Sequence, residues 1–335
     1  MVNVVIAAPS SRFGLGFSEE NLRKIKAVSP QINLKEASIL LSEEQKGDFS
    51  HKKDLEGLLS EAEVLLARSL PANVIKRAPK LKWIQMTFAG MESIVRDKDL
   101  VNSAVKLTNA SGIQAVAISE YVITLMLAFN KHLPIFAQLK REKKWEPVTM
   151  VGLASQTVGI LGLGNIGKQI ARRAKVLGMK VIAYDRPRGV MRAQYVDKLV
   201  SGSQIDQVFK ESDFVVSALP STPQTAGLIG EKELGMMKPS AYFINISRGA
   251  VVNEEALVKA LEKKQISGAG LDVFAVEPLP KESKLWELPN TILSPHCCGR
   301  LDDTDDRVVD MFCDSLKRYL AGKRLLNLVD KKKGF

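Results

Sequence analysis

Cysteine is rare in this sequence, with three residues in a chain of 335. None of them (Cys297, Cys298 and Cys313) stands in the C-x-x-C spacing typical of zinc sites. Two adjacent cysteines are also poorly suited to form a disulfide with each other. We therefore expect no metal site and no disulfide framework, a pattern typical of a reducing compartment.

Long apolar runs are absent as well. No stretch approaches the roughly 18 consecutive apolar residues that span a bilayer. The N-terminal segment MVNVVIAAPS has no positively charged region and no cleavage site after its apolar stretch, which is unlike a secretory leader. These absences favour a cytoplasmic protein that does not act at a membrane.

Positive charge exceeds negative charge but is not concentrated. Lysines and arginines number 48 against 37 aspartates and glutamates, a formal net charge of +11. The densest clusters are short, one around Lys143 and one at Lys331–Lys333, whereas nucleic-acid-binding proteins usually gather such charge on one face. We expect no nucleic-acid partner, and the excess charge favours attraction of small anionic substrates and cofactors.

Composition and length predict a globular protein of two domains. Hydrophobic residues make up 45% of the sequence and charged residues 25%, which are ordinary values. At about 100–200 residues per domain, the length allows two. In the first part of the chain, strand-like and helix-like segments alternate, which indicates an open α/β sheet. The strands predicted there are Val2–Ala7, Val64–Ala67, Leu81–Thr87 and Lys106–Thr108.

A long apolar helix separates this part from the next. Its apolar residues recur at helical spacing from Ile118 to Phe129, and the helix is expected to end near Pro134 and to be largely buried. From Thr157 onward, strands and helices alternate again, with further strands at Phe214–Ala218, Tyr242–Ile246, Gly270–Val273 and Thr291–Leu293. This second pattern predicts a doubly wound parallel sheet.

A glycine-rich motif begins the second sheet. Gly162, Gly164 and Gly167 form a G-x-G-x-x-G motif, with Asn165 and Ile166 between its last two glycines. The motif follows a predicted strand and begins a predicted helix, as a dinucleotide-binding fingerprint requires. The first glycine permits the tight turn, the second allows a pyrophosphate to approach the backbone, and the third allows close helix packing.

Asp185 ends the next predicted strand, where such folds place the acidic residue that accepts hydrogen bonds from the adenosine ribose. This carboxylate favours NAD and would repel the 2′-phosphate of NADP. Arg186 and Arg188 follow at once and could bind that phosphate, so NADP stays possible.

Three polar side chains follow later strands of the same predicted sheet. Arg248 follows the segment INIS, Glu277 follows LDVFAV, and His296 follows LSP. Each has an ordinary explanation alone, as a surface charge, a turn residue or a core histidine. Ligands bind beyond the carboxyl ends of strands in open α/β sheets, so we expect the three to converge on one site.

These segments resemble the D-isomer-specific 2-hydroxyacid dehydrogenases over nearly the whole chain. The resemblance is most specific from Thr157 to Gly299, in GILGLGNIG, ALPSTPQT, NISRGAVVNEEAL, GAGLDVFAVEP and NTILSPH. Within that family the chain looks most similar to glyoxylate and hydroxypyruvate reductases. The implied fold is α/β, with two Rossmann-like or flavodoxin-like doubly wound parallel-sheet domains and a crevice between them.

The resemblance also implies roles for individual residues. Arg248, Glu277 and His296 match the catalytic trio, and Arg248 and His296 would also contact the substrate. The loop formed by Phe88, Ala89 and Gly90 matches the segment whose backbone amides hold the substrate carboxylate. The positions that match the family's cofactor contacts are Gly162, Gly164, Asn165, Ile166, Gly167, Asp185, Leu219, Pro220, Thr225, Ile246, Asp272 and Gly299.

The implied reaction is hydride transfer between a nicotinamide cofactor and a 2-keto or D-2-hydroxy acid. Arg248 would polarise the ketone, His296 would supply or remove the proton, and Glu277 would favour the imidazolium form of His296. The expected domains are an outer, substrate-binding one at 1–108 plus 302–335 and an NAD-binding one at 109–301. We also expect a homodimer, because the apolar stretch Tyr121–Phe129 is too hydrophobic to face water.

Some features depart from the family pattern. Cys298 stands two residues after His296, where the family often has alanine or serine, and Met91-Glu92 stands where it often has Val-Asp. An alternative function is a nucleotide-sensing interaction module, similar to the C-terminal-binding-protein corepressors. The complete trio of Arg248, Glu277 and His296 argues against this alternative. A related enzyme acting on formate is disfavoured because its glutamine is replaced here by Glu277.

Overall fold

The computed structural model describes residues 1–8, 17–185 and 193–334. The chain divides into two compact units: unit 1 comprises Met1–Ile113 and Leu301–Phe335, and unit 2 comprises Gln114–Arg300. The first change of unit lies a few residues beyond the expected position because the start of the connecting segment is held in unit 1. There the Asn109 side chain donates to the carbonyl oxygen of Ala89 at 2.8 Å.

The secondary structure elements are numbered along the described chain. The strands are β1 (Val2–Ala7), β2 (Ile32–Glu36), β3 (Val64–Ala67), β4 (Trp83–Met86), β5 (Lys106–Thr108), β6 (Thr157–Leu161), β7 (Lys180–Tyr184), β8 (Lys198–Val200), β9 (Phe214–Ser217), β10 (Tyr242–Asn245), β11 (Gly268–Leu271) and β12 (Thr291–Leu293). The helices are α1 (Glu19–Ala27), α2 (Ser38–Gln45), α3 (Lys52–Glu61), α4 (Val74–Arg77), α5 (Lys98–Asn102), α6 (Ala115–Asn130), α7 (Leu133–Glu142), α8 (Asn165–Val176), α9 (Ile205–Glu211), α10 (Glu231–Gly235), α11 (Glu254–Glu262) and α12 (Thr304–Leu320).

Unit 1 contains a parallel sheet in the order β2-β1-β3-β4-β5, which is the flavodoxin-like order. All four residues of β3 are buried, as expected for a strand covered on both faces. Helix α12 completes the core, since the Phe312 ring packs against Trp83 with centroids 5.3 Å apart. Arg68 and Asp305 add an ion pair of 2.7 Å within the unit.

Unit 2 contains a parallel sheet in the order β12-β11-β10-β9-β6-β7-β8. This is the Rossmann order, extended by one strand, and it reverses between β6 and β9. The structure therefore confirms the predicted fold class of two doubly wound α/β sheets. It also places the glycine-rich turn after β6 at the point where the strand order reverses, which is where this class of fold binds ligands.

The prediction for the long apolar helix was partly wrong. Helix α6 is largely buried as expected, with Val122 and Met126 fully enclosed in the core of unit 2. However, Pro134 does not end it. The helix ends at Asn130, and Pro134 lies in the first turn of a separate helix, α7, where its missing N–H carries no cost.

Among the described residues, no single helix is both long and apolar enough to cross a membrane. Helices α6 and α7 meet the length and composition criteria only as a pair, and they are bent by 56° where they join.

Candidate functional site

Three neighbouring strands of unit 2 end at the same level and carry the predicted catalytic segments. The pairing register aligns Asn245 of β10 with Leu271 of β11, and Leu271 with Leu293 of β12. Neighbouring strands lie about 4.8 Å apart, so their carboxyl ends form one short edge. Arg248 and His296 each follow this edge by three residues, on the segments after β10 and β12.

Glu277 and His296 form a direct pair at this edge. Glu277 Oε2 lies 2.7 Å from His296 Nδ1, and Glu277 Oε1 accepts the backbone N–H of Phe274 at 3.0 Å. Both carboxylate oxygens are therefore fixed. The His296 side chain is 48% exposed, and because Nδ1 faces Glu277, Nε2 is the ring nitrogen that can exchange a proton with a substrate.

The backbone of His296 is held in an uncommon conformation. Its φ is +51°, in the left-handed region that only a few per cent of non-glycine residues adopt. The N–H of His296 donates to the main-chain oxygen of Asp272 at 2.9 Å. Such conformations persist where surrounding contacts impose them, and they are frequent at functional sites.

Arg248 lies beside the segment that leads to Glu277. It is half-buried, and its Nη1 donates to the carbonyl oxygen of Ser247 at 2.7 Å. A Cβ on the next residue, Gly249, would collide with the carbonyl group of Phe274. The chain after Arg248 can therefore lie directly against the segment 274–275 only because residue 249 is glycine.

The glycine-rich turn has the geometry that a dinucleotide requires. Gly162 has a φ of +98°, and a Cβ there would lie 2.7 Å from the carbonyl oxygen of Ala218. A Cβ on Gly167 would collide with the carbonyl oxygen of Gly162, whereas a Cβ on Gly164 would meet nothing within 4 Å. The turn is thus tight, the helix is closely packed, and the N-terminus of α8 is open to an anion.

The other predicted cofactor residues lie at the carboxyl edge of the same sheet. Asp185 directly follows β7 and is half-buried. Thr225 closes the loop after β9, where its Oγ1 donates to the carbonyl oxygen of Pro220 at 2.6 Å. Ile166 and Asn165 begin α8, and the remaining positions follow β9, β10, β11 and β12: Leu219, Pro220, Ile246, Asp272 and Gly299. Arg186 and Arg188 lie outside the described residues.

Asp272 is more deeply buried than a surface cofactor contact would be, with 1% of its area exposed. Its carboxylate accepts the Ser294 hydroxyl at 2.6 Å and the backbone N–H groups of Cys297 and Cys298 at 2.9 and 3.1 Å. The Ser294 hydroxyl in turn accepts that of Tyr121 at 2.6 Å. The sequence did not predict these hydrogen bonds of Ser294 and Tyr121, because a serine before a proline and a tyrosine on an apolar helix carry no distinctive signal.

Cys298 is held as a neutral thiol. Burial, with the hydrogen bond to Asp272 and its charge, raises the pKa of Cys298 far above the usual range. A neutral thiol is a poor nucleophile, and this favours a packing role. Among the described residues, no group of histidine, cysteine, aspartate and glutamate side chains has a metal-binding arrangement.

The predicted substrate loop lies in unit 1, directly after β4. Phe88 and Gly90 are half-buried and Ala89 is exposed. The loop is fixed within its own unit, since the carbonyl oxygen of Phe88 accepts the N–H of Ala110 at 3.1 Å and that of Ala89 accepts the Asn109 side chain. Because the carbonyl oxygens of Phe88 and Ala89 are held in place, the amide groups between them are held in place as well.

The fold and site of unit 2 define a nicotinamide-dependent oxidoreductase: a Rossmann sheet with a dinucleotide turn at its strand-order reversal and a Glu–His pair at the same edge. Residues 123–298 match the family described as "D-isomer specific 2-hydroxyacid dehydrogenase, NAD binding domain". The chain belongs to the D-isomer specific 2-hydroxyacid dehydrogenase family, as the sequence predicted.

Individual relatives agree with this assignment. The chain is 34% identical to a glyoxylate reductase of Korarchaeum cryptofilum, over 83% of each chain. It is 33% identical to a hydroxypyruvate reductase of Thermotoga maritima, over 82% of this chain and 91% of that one. A D-isomer specific 2-hydroxyacid dehydrogenase of Xanthobacter autotrophicus, solved with NADPH and MES, has a TM-score of 0.84 at 27% identity, over 100% of this chain and 99% of that chain.

These comparisons confirm that the protein is an NAD(P)-dependent oxidoreductase. They give no support to the alternative of a nucleotide-sensing interaction module, since these relatives are named as reductases and dehydrogenases.

Proposed function

We propose that the protein reduces small 2-keto acids to D-2-hydroxy acids, with glyoxylate and hydroxypyruvate as the favoured substrates. The observation that carries this proposal is the 2.7 Å pair between Glu277 and His296 at the dinucleotide edge of unit 2. The reductases of Korarchaeum cryptofilum and Thermotoga maritima act, by their names, on these substrates.

The catalytic steps are assigned to residues of this edge. The nicotinamide, when bound, supplies or accepts the hydride. Arg248 stabilises the negative charge that develops on the ketone oxygen, and His296 donates a proton to that oxygen through Nε2. Glu277 stabilises the imidazolium and fixes the ring through Nδ1. For the substrate carboxylate, we propose the amides of the Phe88, Ala89 and Gly90 loop, which makes unit 1 the substrate-binding domain.

Two features of the chain fit a dinucleotide cofactor: the open turn at Gly164 and the carboxylate of Asp185. We propose that the first turn of α8 binds the pyrophosphate and that Asp185 accepts the ribose hydroxyls, with NAD preferred over NADP. Asp185→Ser removes the charge that repels a 2′-phosphate. We expect it to raise the ratio of kcat/KM for NADPH to that for NADH by about tenfold, equivalent to about 1.4 kcal/mol. A wild-type enzyme that prefers NADPH would contradict this.

We propose that the protein forms a homodimer through unit 2. The sequence suggested that the apolar stretch Tyr121–Phe129 needs a second subunit to cover it. In the structure this stretch is mostly buried in the core of unit 2, so it does not support a dimer. Support comes instead from apolar side chains left exposed on and near α7 and at the end of α8: Leu133 (54%), Ile135 (43%), Trp145 (99%) and Val176 (82%). A mass near 36.8 kDa by light scattering at micromolar concentration would contradict a dimer.

The test of the reaction is NADH oxidation with a panel of 2-keto acids. We expect turnover with glyoxylate and hydroxypyruvate and lower kcat/KM with pyruvate and with a bulky branched acid. Formation of the D-hydroxy acid is checked by chiral chromatography. Failure with every acid in the panel, under conditions in which NADH binds, would overturn the proposed substrate class.

A further inference from the structure

Asp272 accepts hydrogen bonds that fix the loop carrying His296. Its main-chain oxygen accepts the N–H of His296, and its carboxylate accepts those of Cys297 and Cys298. Three consecutive N–H groups are thus held by one residue. Because a carboxylate forms hydrogen bonds about twice as strong as those of a neutral acceptor, this arrangement can impose the left-handed φ of His296.

Asp272 is itself held by a chain of hydroxyl groups. A buried carboxylate only accepts, so Ser294 Oγ must donate to it, and the same Oγ must then accept from Tyr121. Both hydrogen bonds measure 2.6 Å. Hydrogen bonds arranged in series polarise and strengthen one another, so the Tyr121 hydroxyl strengthens the donation by Ser294.

The chain of hydroxyl groups begins on α6, a long helix of the core. Tyr121 is half-buried there, and burial raises the pKa of its hydroxyl, so that it stays a donor. The same helix contacts the far side of the loop, since a Cβ on Gly299 would lie 3.0 Å from the Ile118 side chain. Helix α6 thus supports the His296 loop at two points.

We propose that Tyr121, Ser294 and Asp272 form a positioning network that fixes the His296 loop from α6 and so maintains the alignment of the imidazole for proton transfer. This inference rests on the proposed catalytic role of His296. It adds two residues, Tyr121 and Ser294, whose hydrogen bonds to each other and to Asp272 involve neither Glu277 nor the glycine-rich turn.

Unit 2 offers a matched control serine and a matched control tyrosine. Ser267 Oγ donates to the main-chain oxygen of Pro239 at 3.1 Å, and burial raises the pKa of Tyr242 as it does for Tyr121. Tyr242 begins β10 and Ser267 directly precedes β11, so both lie at the opposite, amino edge of the same sheet. Removing either hydroxyl does not touch the His296 loop.

The experiment compares Ser294→Ala with Ser267→Ala and Tyr121→Phe with Tyr242→Phe, measuring kcat, KM, the Kd for NADH and Tm. Misplacement of a reacting group by about 1 Å can cost about 10²-fold, so a loosened loop should cost somewhat less. We expect Ser294→Ala to lower kcat about tenfold and Tyr121→Phe about threefold, with the Kd for NADH within about twofold of wild type. The amino-edge variants should keep kcat within about twofold at a similar loss of Tm.

Two further variants separate positioning from general destabilisation. Ser294→Thr keeps the hydroxyl and should retain most of kcat. The double variant Tyr121→Phe/Ser294→Ala should be no slower than Ser294→Ala, because Tyr121 acts through Ser294. The network is overturned if Ser294→Ala and Ser267→Ala lower kcat equally, if Ser294→Thr is as slow as Ser294→Ala, or if the double variant multiplies the two losses.

His296→Ala distinguishes failure of the network from failure of the proposed function. If His296→Ala retains turnover, the proposed role of His296 fails and the network fails with it. If His296→Ala is inactive while Ser294→Ala is as fast as wild type, the network alone is wrong.

Discussion

Units 1 and 2 share an architecture but differ in the residues that lie at the carboxyl ends of their strands. In unit 1, polar groups at these ends are bound within the unit: Arg68 after β3 pairs with Asp305 of α12, and Asn109 after β5 binds the carbonyl of Ala89. In unit 2, the same positions carry an open glycine turn and the Glu277–His296 pair. The comparison illustrates that a doubly wound sheet supplies an edge, and that the residues placed there determine what the edge can bind.

The two sheets also differ in how their loops are fixed. The Phe88–Gly90 loop is held by neutral hydrogen bonds from neighbouring backbone and amide groups. The His296 loop is held by a buried carboxylate, which forms stronger hydrogen bonds but costs free energy to bury unless each oxygen has donors. We infer that the stronger anchor is placed where a side chain must be aligned to react.

The sharpest way to break this comparison is to remove one histidine from each unit. His296→Ala should lower kcat by about 10²–10⁴-fold, the usual contribution of a positioned acid–base group. His51→Ala in unit 1 removes an exposed imidazole 3.5 Å from Asp54 and should leave kcat unchanged. NADH binding, followed by fluorescence titration, should be near wild type in both. Equal turnover of the two variants would show that the proton donor is another group.

The next effect concerns the hydrogen bond between Glu277 and His296. Glu277 Oε2 lies 2.7 Å from Nδ1 and fixes the orientation of the imidazole ring. Glu277→Gln replaces a carboxylate acceptor with a neutral amide, whose hydrogen bond is about half as strong. We expect kcat to fall about tenfold because the ring is less well aligned, with the Kd for NADH near that of wild type.

The matched control for this change is Glu254→Gln. Glu254 Oε2 accepts the N–H of Ala275, close to the N–H of Phe274 that Glu277 accepts, and this hydrogen bond does not involve His296. Its kcat should match that of wild type. A Glu277→Gln variant as fast as Glu254→Gln would contradict the proposed pairing.

The sequence was informative wherever the signal was local. The fingerprint around Gly162 and the strand ends before Arg248 and His296 each depend on a few neighbouring residues. The fold class and the family were predicted from such signals and were confirmed. The catalytic and cofactor roles of the individual residues stay predictions.

The features that the sequence did not predict depend on long-range contacts or on ambiguous residues. Tyr121 and Ser294 are 173 positions apart, and neither residue type indicates a partner. Pro134 was interpreted as the end of a helix because proline disrupts helix interiors, yet proline is equally suited to the first turn. Asp272 matched a cofactor contact, whereas its burial and the three donors to its carboxylate are visible only in the folded chain.

The smallest expected effect compares one substitution in a helix of each unit. Gly57 in α3 is exposed, and a Cβ there would meet nothing within 4 Å, so Gly57→Ala should raise the free energy of unfolding by about 0.5–1 kcal/mol through lower backbone entropy in the unfolded chain. In Gly167→Ala the same methyl group collides with the carbonyl oxygen of Gly162, so stability should fall by about 1–3 kcal/mol and NADH should bind more weakly. Urea denaturation and NADH titration measure both quantities. If Gly167→Ala were as stable as Gly57→Ala, α8 would not pack closely on the glycine turn. The contrast between a dispensable glycine in unit 1 and a required glycine in unit 2 would then be wrong.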